Sequence, residues 1–157
     1  MGDETGSRSL AQLLDPSAIV LDARAATKED AVRACGEVLV RIGAVAAPYV
    51  DAMLERERTI STYIGEGVAI PHGTLAGKDD VLRDALCYLR FPDRVDWDGD
   101  DVTVCVGIAA KGDGHVDVLA QLAEVLMNPD QAAALRGAVR PEDVLRVLQP
   151  DEAETTA

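Results

Sequence analysis

Two histidines are the only imidazoles in the 157-residue chain, and each stands where chemistry could be done. His72 closes the run Val68-Ala-Ile-Pro-His-Gly-Thr74. An imidazole with the ordinary value of about 6.5 offers an unprotonated nitrogen as a nucleophile near pH 7. Pro71 fixes its own φ and biases Ile70 towards an extended backbone. Gly73 removes a side chain beside the ring and gives a partner room to approach. Thr74 adds a hydroxyl. His115 follows the glycine-rich connection Lys111-Gly-Asp-Gly114 and heads an apolar stripe with Leu119, Leu122 and Leu126. That spacing places it in the first turn of a helix, where free N–H groups and the helix dipole favour an anion. Upstream, Arg56 and Arg58 end an amphipathic helix, and the hydroxyls of Ser61 and Thr62 follow. Two imidazoles, one arginine and these hydroxyls form a compact anion site if the fold brings them together. Taken one by one they read equally as a strand-end histidine, a helix-end histidine and solvated charges.

Other chemistries lack their residues. Gly107 and Gly112 have the GxxxxG spacing of a phosphate loop, but Asp113 stands where the lysine is required. Gly65-x-Gly67 lacks the third glycine of a dinucleotide fingerprint, and there is no HExxH or GxSxG. The acidic stretch Asp96 to Asp101 reads as a solvated loop, without calcium-loop spacing. Cys35, Cys87 and Cys105 are far apart, odd in number and set in apolar segments, which suits free thiols in a reducing cytoplasm. Two histidines without a third ligand make a weak metal site, so no metal and no cofactor is expected. A formal net charge of −13 opposes nucleic acid and anionic lipid and favours a basic partner surface, though it also serves plain solubility. No apolar run approaches the ~18 residues of a membrane span, so no direct membrane insertion is expected.

The elements that must position these residues alternate in type. Residues 1–9 read as a disordered N-terminus, residues 10–149 as one domain, and residues 150–157 as an acidic tail. A short helical turn is expected at 10–14, stopped by Asp15-Pro16, and an extended segment at 19–22. Thr27 with Asp30 marks a capped helix running to Gly43. Pro48 opens a second, with Tyr49, Met53 and Arg56 on one line and Val50, Leu54 and Arg58 on the next. Short strands are expected at 61–64 and 68–70, around the turn Gly65-Glu-Gly67. A clearer strand spans 84–91, closed by Pro92-Asp-Arg94. Residues 102–110 are nearly all apolar and read as a central strand covered on both faces. Helices follow from His115, from Asn128-Pro129 and from Pro141. The fold expected is α/β: a single domain with a mixed β-sheet flanked by α-helices, a sandwich with an aliphatic core.

Three runs resemble a known family. Met53-Leu-Glu-Arg-Glu57, the stretch from Ser61 to Thr74 ending in Ala-Ile-Pro-His-Gly-Thr, and the stretch from Val106 to His115 are similar to enzyme IIA domains of the bacterial phosphoenolpyruvate-dependent sugar phosphotransferase system. The resemblance is to the mannitol/fructose type, closest to mannitol, and covers roughly Leu10 to Leu148. It implies that His72 accepts a phosphoryl group from HPr, the histidine-containing phosphocarrier protein, and passes it to an enzyme IIB component of a sugar permease. It favours Arg56 over Arg58 as the partner of the phosphoryl oxygens, a choice that periodicity leaves open. His115 would be a second active-site histidine that steadies phosphate without carrying it. Ser61, Thr62 and Thr74 would support it by hydrogen bonding. The chain departs from the family pattern in showing no recognisable IIB or membrane IIC portion, so a free-standing, cytoplasmic component is expected. An alternative role follows from that: a regulatory module whose phosphorylation at His72 controls binding to a target protein. The sugar is left open.

Overall fold

A mixed four-stranded sheet in the order β1-β3-β4-β2 forms the centre of the molecule. The structure, a computed structural model, describes residues 10–111 and 114–148, and the side chains of all of these except 75, 76, 78 and 114–117. The elements in chain order are α1 (Leu10–Leu13), β1 (Leu14–Val20), α2 (Lys28–Arg41), α3 (Pro48–Thr59), β2 (Val68–Ala69), a 3-10 turn (Leu75–Asp80), β3 (Ala85–Trp97), β4 (Asp100–Ala109), α4 (Gly114–Met127), α5 (Pro129–Arg136) and α6 (Pro141–Leu148). The disordered N-terminus and acidic tail expected at 1–9 and 150–157 lie outside the described residues, as do Gly112 and Asp113 of the glycine-rich connection.

Local signals in the chain set most helix ends. The Thr27 hydroxyl oxygen accepts from the Asp30 N–H at 3.1 Å and starts α2. Gly43, at φ 78°, ends it in the left-handed conformation that glycine adopts without a side-chain clash. Asn128 Oδ1 accepts from the Asp130 and Gln131 N–H groups and starts α5.

The two faces of the sheet are covered by different helices. Consecutive residues of a strand point to opposite faces. On β3, the Cys87 thiol donates to the Cys35 carbonyl of α2, while the Tyr88 hydroxyl donates to the Leu135 carbonyl of α5 at 2.6 Å. Helix α2 therefore lies on one face, with α3 packed against it, and α4, α5 and α6 cover the other. Strand β4 is buried from Val104 to Ala109, as its apolar run implies. The core is mainly Val, Leu, Ile and Ala, but Trp97, Tyr88 and Phe91 are its largest fully buried side chains.

Three expectations need correction. Strand β1 begins at Leu14, directly after α1, and ends at Val20. The Asp15 carboxylate accepts from both the N–H and the hydroxyl of Ser17, so Asp15-Pro16 stops the helix without stopping the chain from extending. Strand β3 does not close at Pro92. The register passes from Arg90↔Val104 to Val95↔Val102, so residues 91–94 bulge opposite the single Thr103. A bulge tolerates a proline that has no N–H to give, and Arg94 absorbs the turn at φ 66°. The acidic stretch is a hairpin and not a loop. Trp97 pairs with Asp100 around the two-residue turn Asp98-Gly99, both at positive φ (56° and 103°), the geometry whose twist suits a tight hairpin.

Candidate functional site

The stretch that carries His72 is a small hairpin folded back on itself. The Ile70 N–H donates to the Thr62 carbonyl at 3.0 Å, and the Ile64 N–H donates to the Val68 carbonyl at 3.0 Å. At the tip, Gly65, Glu66 and Gly67 all have positive φ. Two glycines make that run of left-handed backbone affordable. The returning arm, β2, pairs parallel to β4 through Val68↔Val104 and Ala69↔Cys105. An isolated parallel bridge, His72↔Ile108, carries the same line past Pro71. Proline suits that place because the bond there runs the other way: the Ile108 N–H donates to the Pro71 carbonyl at 2.9 Å.

His72 is thus pinned to the carboxyl end of the central strand, and only 6% of its surface is exposed. Its Nδ1 lies 2.8 Å from the Ile70 carbonyl oxygen. A carbonyl can only accept, so Nδ1 carries the proton in that bond and the lone pair of a neutral ring resides on Nε2. The local chain thereby selects which nitrogen is basic.

Tyr49, in the first turn of α3, braces the next residue. Its hydroxyl accepts from the Gly73 N–H and donates to the Ile108 carbonyl, each at 2.9 Å. Burial pushes its phenol above the ordinary value, so it remains a donor through the neutral range. The ring packs so closely that a Cβ at Gly73 would stand 2.5 Å from Tyr49 Cε1. Glycine at 73 is therefore demanded by this ring.

A second brace holds the outgoing arm. Glu57 is 4% exposed, yet one carboxylate oxygen accepts from the Thr62 N–H at 3.0 Å and the Trp97 indole N–H at 2.9 Å. The other accepts from the Thr62 hydroxyl. Three donors from two separate segments satisfy one buried carboxylate, which locks α3, the hairpin and the β3–β4 turn together.

The remaining expected residues are placed as follows. Arg56 is half-buried in the last turn of α3, and its guanidinium donates to the Ile60 carbonyl at 2.6 Å; Arg58 is exposed. Ser61 is exposed, and its oxygen accepts from the Tyr63 N–H. Thr62 is buried, with its hydroxyl proton given to Glu57. The Thr74 hydroxyl oxygen accepts from the Gly77 N–H and caps the 3-10 turn. His115 is the second residue of α4, and its side chain lies outside those described. Its backbone is seven residues beyond Ile108, the residue bridged to His72, so the start of α4 follows the same end of the sheet. The carboxyl ends of parallel strands, next to a helix N-terminus, are where open α/β sheets bind ligands. Among the described residues no group of three or more His, Cys, Asp or Glu side chains is arranged to hold a metal. A cleft of about 660 Å³ lined by Glu66, Arg90, Asp101, Thr103 and Arg136 contains none of these site residues.

The chain matches the family described as "Phosphoenolpyruvate-dependent sugar phosphotransferase system, EIIA 2" over residues 12–150. It belongs to that family. Among its relatives, the mannitol-specific phosphotransferase enzyme IIA component of Halalkalibacterium halodurans is 40% identical over 136 residues, covering 87% of this chain and 94% of that protein. The crystal structure of IIA mannitol from Escherichia coli superposes with a TM-score of 0.79 at 36% identity, covering 86% of this chain and 98% of that one. The Escherichia coli IIA determined in complex with phosphorylated IIB superposes with a TM-score of 0.80 at 35% identity, covering 87% and 98%. This enzyme IIA therefore has the expected fold and is a phosphotransferase component. Among its described residues no helix is long and apolar enough to cross a membrane.

Sequence reasoning missed Tyr49 and Glu57 as site-building residues. Their signal was present: Tyr49, Met53 and Glu57 fall at i, i+4 and i+8, the inward line of α3. A carboxylate on an inward line announces a buried acceptor, but its partners come from Thr62 and from Trp97, 40 residues away.

Proposed function

We propose that His72 is the phosphoryl carrier of this enzyme IIA, loaded by phospho-HPr and discharged to an enzyme IIB component of a mannitol-like or fructose-like permease in the cytoplasm. The observation that carries this reading is the bond from His72 Nδ1–H to the Ile70 carbonyl, which leaves Nε2 as the basic nitrogen. In loading, the Nε2 lone pair attacks the phosphorus of the phosphohistidine on HPr. The new N–P bond forms as the old one breaks, and its electron pair returns to the HPr imidazole. The acceptor ring becomes more positive as the bond forms, and the Ile70 carbonyl opposite Nδ1–H stabilises that charge. Discharge runs the same way, with the receiving group of IIB as the nucleophile. Such transfer depends on alignment and charge stabilisation.

Arg56 supplies charge to the phosphoryl oxygens, from the position that α3 gives it. His115 and the N-terminal turn of α4 supply hydrogen-bond donors without carrying the group. Ser61 and Thr74 contribute hydroxyls at the rim. Thr62 acts indirectly, because its own donors hold the hairpin to Glu57. The sheet-end site lies on a protein of net charge −13, which suits docking to basic patches on a partner. The mannitol assignment draws on the names of the relatives.

Incubation with phosphoenolpyruvate, enzyme I and HPr tests the reading. An acid-labile phosphoryl group is expected on the wild-type chain and is expected to vanish in His72→Ala. Retention of the label in that variant would remove His72 from the role.

A further inference from the structure

The parallel bridge His72↔Ile108 has one rung in its ordinary form, the Ile108 N–H donating to the Pro71 carbonyl. The partner rung of a parallel bridge is a bond from the following residue, the Gly73 N–H, to the Ile108 carbonyl. Here that N–H goes to the Tyr49 hydroxyl at 2.9 Å, and the hydroxyl passes its own proton to the Ile108 carbonyl at 2.9 Å. A side chain from α3 has taken over one rung of the ladder, next to the histidine. We infer that Tyr49 is a positioning residue for phosphoryl transfer, setting where the His72 imidazole stands by splinting the strand end that carries it. The inference rests on the phosphocarrier reading of His72.

The geometry explains why a tyrosine is needed. The hydroxyl is 4% exposed with its ring, so water does not readily replace it. Removing it alone, as in Tyr49→Phe, leaves two outcomes. Either Gly73 N–H and Ile108 C=O remain buried without partners, or Gly73 moves to bond Ile108 directly. In the first case the peptide after His72 loses the bond that fixes it, and in the second it shifts; either way the ring that Ile70 holds from the other side loses its set position. Transfer between two nitrogens is sensitive to such displacement, since a 1 Å error can cost about a hundredfold.

The molecule contains its own control. Tyr88 is also buried and also gives its hydroxyl proton to a backbone carbonyl, that of Leu135, but on the opposite face of the sheet. Tyr49→Phe and Tyr88→Phe should therefore both lose thermal stability, Tyr49→Phe more because its hydroxyl serves two backbone groups. Only Tyr49→Phe should lose transfer. We expect its single-turnover rate to IIB, per folded molecule, to fall by about tenfold or more, with the KM for phospho-HPr within about twofold. In the unphosphorylated protein, ¹⁵N spectra of labelled histidine should show a predominantly Nδ1–H ring at His72 in wild type and Tyr88→Phe, and a mixed ring in Tyr49→Phe. A wild-type rate and an unchanged tautomer in Tyr49→Phe would overturn the inference, as would equal rate losses in the two variants. If the wild-type chain takes no phosphoryl group on His72, the carrier reading fails, and the tautomer comparison still decides whether Tyr49 sets the ring.

Discussion

Replacing Glu57 by alanine and by glutamine should give two sharply different proteins. In the wild type, one carboxylate oxygen serves both rigid N–H donors, Thr62 and Trp97, and the other serves the rotatable Thr62 hydroxyl. Glutamine can reproduce this pattern. Its amide oxygen takes the place of the shared oxygen, and its NH₂ meets a Thr62 hydroxyl that turns to accept. The charge is lost, including its attraction to Lys28, so we expect a cost of about 1 kcal/mol. Alanine strands both buried N–H groups, each worth roughly 1–3 kcal/mol, and opens a small void, for a total of about 3–5 kcal/mol. Urea unfolding followed by far-UV circular dichroism measures both. The fluorescence of Trp97, the sole tryptophan, reports the local change. With a slope of about 1–3 kcal/mol/M, the alanine midpoint should fall by roughly 2 M. Phosphoryl transfer should fall further in Glu57→Ala than in Glu57→Gln, because the arm that returns to His72 is released at Thr62. Coincident unfolding midpoints for the two variants would refute the three-donor account.

Three other outcomes are expected. His115→Ala should still accept a phosphoryl group from phospho-HPr but pass it to IIB at least about tenfold more slowly, in single-turnover assays; complete loss of loading would instead make His115 a carrier or a docking residue. Cys35, Cys87 and Cys105 should resist a thiol reagent in the native protein and all react in urea, since all three are buried. The hydrogen bond with Cys105 and burial hold the Cys35 thiol well above its ordinary value, and burial and the bond to Cys35 do the same for Cys87. Folded values that are raised give stability that is present below the ordinary thiol value of about 8.5 and lost as pH rises from there towards the folded values. The urea midpoint should accordingly decline above pH 8.5, and fast native labelling of any of the three thiols would contradict the cluster.

The helices were legible because their signals are local. Thr27, Asn128, Pro48 and Gly43 sit at ends that short-range sterics and capping bonds dictate. Strand β4 was legible because a run buried on both faces leaves no polar residue in its middle. The bulge in β3 was not legible, since Pro92 ordinarily ends a strand and only the register with β4 shows where its missing N–H does no harm. The Asp98-Gly99 hairpin was written in the chain as a turn dipeptide, and the surrounding acidic residues hid it. The three thiols, 52 and 18 residues apart in sequence (35 to 87, 87 to 105), meet only because Cys87 and Cys105 share the sheet face under α2, where a Cβ at Gly107 would clash with Cys87 and Cys35.

For the site, residue types alone pointed to an imidazole on a rigid, uncrowded strand end, and the resemblance attached a reaction to it. The local Ile70 carbonyl sets which nitrogen of His72 is basic, whereas the meeting of Glu57 with Thr62 and Trp97, and of Tyr49 with Gly73 and Ile108, was decided by the tertiary structure. The physical reason is the same in each case. Periodicity tells which side of an element is buried, because burial depends on the element's own geometry. It cannot tell which donor meets which acceptor, because a hydrogen bond is settled by two atoms a few tenths of an ångström at a time, and here those atoms come from α3, the hairpin and β4 at once.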